Sequence, residues 1–241
     1  MLPPALERAM KNLFLDSLSK SDLVLLTPLL RPMELAQETV LSETGDTVTL
    51  VHFPINAIIS LVIVLSSGEI IETAMVGRDG MVGASSALDG NIAMNKAIVQ
   101  LSGKALVCDA SAFKESVLQS RSLLSKIIRH EQTVYAQAQQ SAACIASHNI
   151  ESRLARWLLR SRDLADSNTL PFTQEFLSEM LGVRRTTVSV VAHALQHAGM
   201  IKYRRGKIQI TDLDALEEAS CECYGTIKDL YNTLLGVGSA A

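Results

Sequence analysis

Six cations fall between residues 184 and 207, namely Arg184, Arg185, Lys202, Arg204, Arg205 and Lys207, and no carboxylate stands among them. A run of that kind draws a polyanion, because nothing nearby cancels its field. Thr186, Thr187, Ser189, Val190 and His193 are interleaved with it, side chains of the types that touch phosphates and base edges in a groove. The chemistry on offer is recognition of nucleic acid. Catalysis is not indicated: the chain has no GxSxG, no HExxH, no phosphate-binding GxxxxGK and no paired-carboxylate segment that would place a nucleophile or base. We therefore expect no catalytic residue and no enzyme. A basic run alone also suits a solvated face, so its place within secondary structure has to decide.

A second set of reactive residues is the cysteines. The chain has four, Cys108, Cys144, Cys221 and Cys223, too few and too scattered to frame a disulfide-rich secreted fold, and reduced thiols are expected. Cys221 and Cys223 stand two apart in SCECY. Two thiolates do not complete a structural zinc site, which usually takes four ligands, so no metal and no cofactor are expected. His52, His130 and Cys144 could serve as haem ligands but lack a diagnostic spacing, and each reads as a satisfied surface or core residue.

The elements that must present the basic residues can be read directly. In LPFTQEFLSEMLGVRRTTVSVVAHALQHAGMI, residues 170–201, Thr173 can cap a helix that turns Phe176, Leu177, Met180 and Leu181 inward, and Gly182 can supply the left-handed turn that ends it. A second helix follows with Val188, Val191, Ala192 and Leu195 on one face. Its other face carries Arg185, Thr186, Ser189 and His193. Two short helices about a glycine turn, the second polar on its outer face, form the helix-turn-helix that enters a major groove. IKY, RRGK and IQIT then read as a hairpin, with Arg204, Arg205 and Lys207 at a tip suited to phosphate.

Upstream, residues from about 114 past 164 lack Gly and Pro. Leu124, Ile128, Glu131, Tyr135, Ala138, Ala142 and Ile145 recur at spacings of three and four along a helix over 119–147. At 1.5 Å per residue such a helix is about 43 Å long, more than a small domain of one chain covers. Pairing with a second copy is the economical solution, with Leu124, Ile128, Tyr135, Ala138, Ala142 and Ile145 as the seam and the small Ala138, Ala142 and Cys144 permitting close approach. Between Val40 and Asp109 short β-rich runs alternate with glycine-containing turns, the pattern of an antiparallel sandwich or barrel, with helix around Leu23–Leu30 packed on it. The expected fold is α+β: a β-rich sensor domain over 1–118, a pairing helix over 119–147 and a winged helix-turn-helix domain over 148–241.

Composition agrees with a two-part chain. Of 241 residues, 48% are hydrophobic and 20% charged, as in ordinary globular proteins. The net charge of −3 conceals an asymmetry: residues 1–147 hold 11 basic and 14 acidic side chains, residues 148–209 hold 10 basic and 5 acidic. No apolar stretch approaches the ~20 residues of a membrane span, and MLPPALERAM lacks the apolar core of a secretory signal. A cytoplasmic protein without a membrane partner is expected.

The order of parts, and FLSEMLGVRRTTVSVV above all, resembles the Crp/Fnr family of bacterial regulators, with VGRDGMVGASSAL similar to its nucleotide-pocket segment. The resemblance covers nearly the whole chain. It implies a jelly-roll sensor domain of the cyclic-nucleotide-binding kind, a homodimer, a double-stranded inverted-repeat operator near promoters, and work beside RNA polymerase. It also implies that Arg185, Thr186, Ser189 and Val190 face base edges, and that Arg184, Thr187 and His193 meet phosphates or groove walls. The family prototype has Ser, Glu and Arg where this chain has Arg184, Thr186 and Val190, so a different half-site is expected. Only Arg185 keeps bidentate potential for guanine.

The effector side departs further. Met81, Val82, Gly83, Asn95 and Lys96 fall on the pocket segment, but the cyclic-nucleotide branch has a Glu for the ribose and an Arg with a neighbouring Ser for the phosphate, where Met81, Asn95 and Lys96 stand here. The N-terminal cysteine cluster of the iron–sulfur branch is missing, since the first cysteine is Cys108. The reading is a dimeric, sequence-specific transcription regulator with an unassigned effector. The alternative is a ligand-binding regulatory protein that acts on a protein partner and has no use for the basic run.

Overall fold

The structure, a computed structural model, describes residues 12–236; the segment MLPPALERAM, read above for a secretory pattern, lies outside them. Two compact units divide the chain. The first gathers the described residues of Met1–Leu61, Met75–Ala136 and Leu230–Ala241, and the second gathers Val62–Ala74 and Gln137–Asp229. Sequence patterning gives no sign that residues 62–74 group with the C-terminal part. Among the described residues no helix is long and apolar enough to cross a membrane.

The first unit opens with α1 (Leu13–Asp16) and α2 (Lys20–Leu26). Asn12 caps α1 by accepting from the Leu15 amide at 3.0 Å and donates to the carbonyls of Pro54 and Gly80. The strands of this part of the chain are β1 (Arg31–Leu35), β2 (Val40–Ser42), β3 (Leu50–Pro54), β4 (Ile58–Val64), β5 (Ile70–Val76), β6 (Lys96–Leu101) and β7 (Gly103–Asp109), with β4 and β5 running into the 62–74 segment and α3 (Ala84–Leu88) and α4 (Ala110–Leu118) between and after them. They form two sheets, β1-β7-β3 and β2-β6-β4-β5, which is the β-rich container expected. The strand β1 was not anticipated. RPMEL carries a proline and no alternation, and it is a strand because it lies on a sheet edge, where the missing N–H of Pro32 costs no ladder bond.

The long helix is α5 (Arg121–Ser147), two residues shorter at its start than the sequence suggests. Gln119 ends α4, and Ser120 begins α5 by accepting from the Leu123 amide. Ser120 and Ser122 in turn donate to the buried Asp22 carboxylate, as does Ser19. Burial alone would raise the Asp22 pKa, but the three hydroxyl bonds outweigh it and hold the group below its ordinary value.

Along α5 the two faces have different fates. Leu123, Ile127, His130 and Cys144 are buried within the chain. His130 is an internally satisfied side chain: Nε2 accepts from the Met81 amide at 3.1 Å, Nδ1 lies 3.2 Å from Glu131 Oε1, and the ring meets Phe14 edge-on. Gly80 is glycine because a Cβ there would lie 2.5 Å from His130 Nε2. The other face carries the expected seam: Ile128, Tyr135, Ala142 and Ile145 are exposed and Leu124 and Ala138 half-buried. Cys144 corrects the sequence reading, for it faces its own chain and cannot ease the approach of a second helix.

The second unit contains α6 (Ile150–Ala165), β8 (Thr169–Leu170), α7 (Gln174–Leu181), α8 (Arg185–His197), β9 (Ile201–Arg204), β10 (Lys207–Ile210), α9 (Leu213–Ala219) and the start of α10 (Cys223–Leu235). Asn149 caps α6 by accepting from the Ser152 amide. The core is aromatic. Trp157 meets Phe172 edge-on at 4.9 Å between ring centroids, and Phe172 stacks on Phe176 at 5.4 Å. The Trp157 indole N–H donates to Glu72 Oε1 at 2.9 Å, which ties the 62–74 segment to α6.

Candidate nucleic-acid interface

The predicted supports of the helix-turn-helix stand where the sequence puts them. Thr173 caps α7 by accepting from the Phe176 amide at 3.1 Å, and Gly182 ends it with φ of +62°. Phe176, Leu177, Met180 and Leu181 are buried, as are Val188, Val191, Ala192 and Leu195 of α8. Sequence reasoning missed Arg153. This buried side chain on α6 donates to the Leu181 carbonyl at 2.6 Å, and its positive charge at the end of α7 satisfies an orphan acceptor and opposes the negative end of the helix dipole.

With one face of α8 committed to the core, the other is open. Arg184, Arg185, Thr186, Ser189, Val190 and His193 are exposed and Thr187 is half-buried. Val190 is 70% exposed, so its side chain has no core role. Arg184 occupies the N-cap without a capping bond from its side chain, leaving the first amides of α8 to other acceptors. Arg185 Nη1 lies 3.6 Å from Glu175 Oε2, and both side chains are about two-thirds exposed. A surface pair of that kind contributes little and is readily exchanged for a phosphate or a base.

The wing is a two-residue hairpin. Arg204 pairs with Lys207 across it, and Arg205 and Gly206 have φ of +50° and +71°, the type I′ geometry that matches strand twist. Arg204, Arg205 and Lys207 are exposed. With Lys202, Thr169 and Gln209 they line a shallow depression of about 430 Å³. Gln196 on α8 accepts from the Tyr203 amide at 2.8 Å, fixing the wing to that helix. The helix α8 and the hairpin thus present their cations from one folded unit.

The effector residues are only partly brought together. Met81, Val82, Gly83 and Asn95 line a cavity of about 90 Å³ in the first unit. Lys96 does not line it, and its Nζ is paired with Glu43 at 2.9 Å. The charged side chain on the cavity wall is Glu131, of the same sign as a phosphate.

Comparison with known proteins fits this geometry. Residues 152–219 match the Crp-like helix-turn-helix domain family. No curated protein matches the chain by sequence. Among solved structures, a CRP-family transcriptional regulator from Thermus thermophilus shares 20% identity at a TM-score of 0.66, over 78% of this chain and 96% of that one. A second regulator from that organism, of the CRP/FNR family, shares 21% identity at a TM-score of 0.64, over 79% and 98%. FixK2 from Bradyrhizobium japonicum reaches a TM-score of 0.68 at 14% identity, over 80% and 98%. At these identities the likeness is one of fold.

Gly182 is the residue on which the turn depends. Alanine there must adopt a left-handed conformation, costing roughly 1–2 kcal/mol, while its Cβ would meet Ile71 at 3.4 Å, an ordinary contact that adds no clash. Gly182→Ala is expected to lower the urea-unfolding midpoint accordingly. Gly182→Asn should cost less, since Asn tolerates that conformation.

Proposed function

With residues 152–219 forming a Crp-like helix-turn-helix domain on a Crp/Fnr-type fold, we propose that this chain is a DNA-binding transcription regulator that acts as a homodimer on an inverted repeat. The observation that carries the reading is the exposed face of α8 beside a basic wing, in a stretch without a carboxylate. Arg185 is assigned to guanine, Thr186 and Ser189 to base edges, and Val190, apolar and open, to a thymine methyl. Arg184, Thr187, His193, Arg204, Arg205 and Lys207 are assigned to phosphates and groove walls. A cytoplasmic site of action beside RNA polymerase goes with that role. A regulatory subunit acting only on a protein partner would have no use for this basic face.

The seam on α5 supports the dimer. Ile128 and Tyr135 are 49% and 66% exposed, and Ile145 follows on the same face, an apolar stripe that a second α5 would cover. Two recognition helices related by a two-fold axis meet half-sites about one helical turn apart.

The effector, in this reading, is not a cyclic nucleotide bound in the usual pose. A ligand pocket typically offers at least about 300 Å³, several times the cavity beside Met81 and Asn95. Desolvating a phosphate also needs a fixed cation, whereas the wall offers Glu131 and Lys96 is engaged by Glu43.

Four measurements test these assignments. Selection of bound genomic fragments followed by footprinting should yield an inverted repeat, and uniformly weak, sequence-blind binding would sink the reading. On that operator Arg185→Ala should lose roughly 1–3 kcal/mol and relax selectivity at one guanine per half-site, while Arg205→Ala weakens all DNA alike and lowers the salt slope by about 1. Equal losses for Arg185→Ala on operator and random DNA would remove its base contact. For the dimer, Ile128→Asp with Ala138→Asp places unpaired charges in the seam at a cost of several kcal/mol. Light scattering should find a folded monomer; a full dimer would refute the seam. Finally, calorimetry with cyclic AMP and cyclic GMP should show no micromolar binding coupled to operator affinity, and such binding would refute the closed-pocket argument.

A further inference from the structure

Three cysteines and a histidine that lie far apart in sequence converge within the second unit. Cys144 is on the last turn of α5 and His148 follows one turn later, where that helix ends, while Cys221 and Cys223 flank the turn between α9 and α10. Cys144 Sγ and Cys221 Sγ are 3.5 Å apart, Cys223 Sγ and His148 Nδ1 are 3.6 Å apart, and the four donor atoms all lie within 4.8 Å of one another. The three thiols are buried and the imidazole half-buried. We propose that Cys144, His148, Cys221 and Cys223 form a Cys₃His site for a single structural zinc ion.

The spacing is that of donors around one ion. Zinc–sulfur bonds of about 2.3 Å in a tetrahedron put neighbouring sulfurs about 3.8 Å apart, close to the separations here. Thiolate and imidazole together select zinc over the harder divalent ions, and four protein donors in a buried setting make a closed structural site rather than a catalytic one. A Cys144–Cys221 disulfide would use two donors and leave unexplained why Cys223 and His148 face each other beside them.

The surroundings match as well. His148 offers Nδ1 to the cluster, and its Nε2 lies 3.2 Å from Glu222 Oε1, so the carboxylate can fix the tautomer and orient the ring as partners of metal-bound histidines do. Gln140 Nε2 donates to Cys223 Sγ at 3.1 Å. Three thiolates and a neutral imidazole around a divalent ion leave one net negative charge. The guanidinium of Arg156 acts on Cys144, and that of Arg153 on Cys144 and Cys221, in the sense that offsets it. The ion would clamp the end of α5 to the α9–α10 turn, at the point where α6 departs.

Metal analysis of the full-length protein, purified under reducing conditions and dialysed, should find about one zinc per chain. Cobalt(II) in its place should give the visible ligand-field bands and sulfur-to-metal charge transfer of tetrahedral thiolate coordination. Cys221→Ser and Cys223→Ser should lose zinc and the cobalt spectrum, and Cys108→Ser, whose thiol lies in the first unit, should keep both. Should the serine variants fail to fold, His148→Cys preserves four donors and should retain zinc, and Glu222→Gln should weaken zinc binding by roughly 10-fold. A wild-type protein that neither carries zinc nor takes it up from equimolar zinc with its thiols reduced overturns the site. So does a non-tetrahedral cobalt spectrum, or zinc retained by both serine variants.

Discussion

The exposed polar face of α8 depends on the burial of its opposite side. Val188, Val191, Ala192 and Leu195 are fully or nearly buried, and an apolar stripe of that width fixes the rotation of the helix about its axis. Once the rotation is set, the residues between the stripe positions have only one direction to face. Arg185, Thr186, Ser189 and Val190 are displayed because Val188 and Val191 cannot be. The aromatic group of Trp157, Phe172 and Phe176 supplies the rigid floor, and the Trp157 N–H finds its acceptor in Glu72 rather than being left buried and unpaired.

The same logic of two committed faces runs through α5, with a different outcome. One face is consumed by its own chain through Leu123, Ile127, His130 and Cys144, and the other is apolar yet open at Ile128, Tyr135 and Ile145. A helix with apolar residues on both sides cannot be fully covered by a small unit of one chain. The uncovered stripe is the physical reason to expect a second copy. It places the demand for symmetry on the helix that leads into the helix-turn-helix.

Much of this was legible in the sequence because it rests on short-range rules. Thr173 as cap, Gly182 as left-handed stop, the spacing of Val188 to Leu195 and the Arg205–Gly206 turn each follow from chemistry within a few residues. What was not legible required distant partners. RPMEL is a strand only because β7 lies beside it, and Arg153 caps α7 only because α6 brings it to the Leu181 carbonyl. The grouping of residues 62–74 with the C-terminal unit has no local signature either. The Cys144–His148 spacing of four, one helical turn, was a local signal for a pair of ligands. It went unread in the sequence, where nothing near it completes a site, and only folding brings Cys221 and Cys223 beside it.

The first unit offers a small molecule little space and an unfavourable charge for an anion. His130 holds the Met81 amide through Nε2 and approaches Glu131 through Nδ1, so α5 is fastened to the wall of the cavity that Met81, Asn95 and Glu131 line. The cavity is small, about 90 Å³, so a ligand seated deeply against this wall would displace it. Movement there is movement of α5, the helix bearing the open apolar stripe. A ligand that pressed on this wall would compete with the contacts His130 and Glu131 already make, and its affinity would be reduced by the free energy needed to break them.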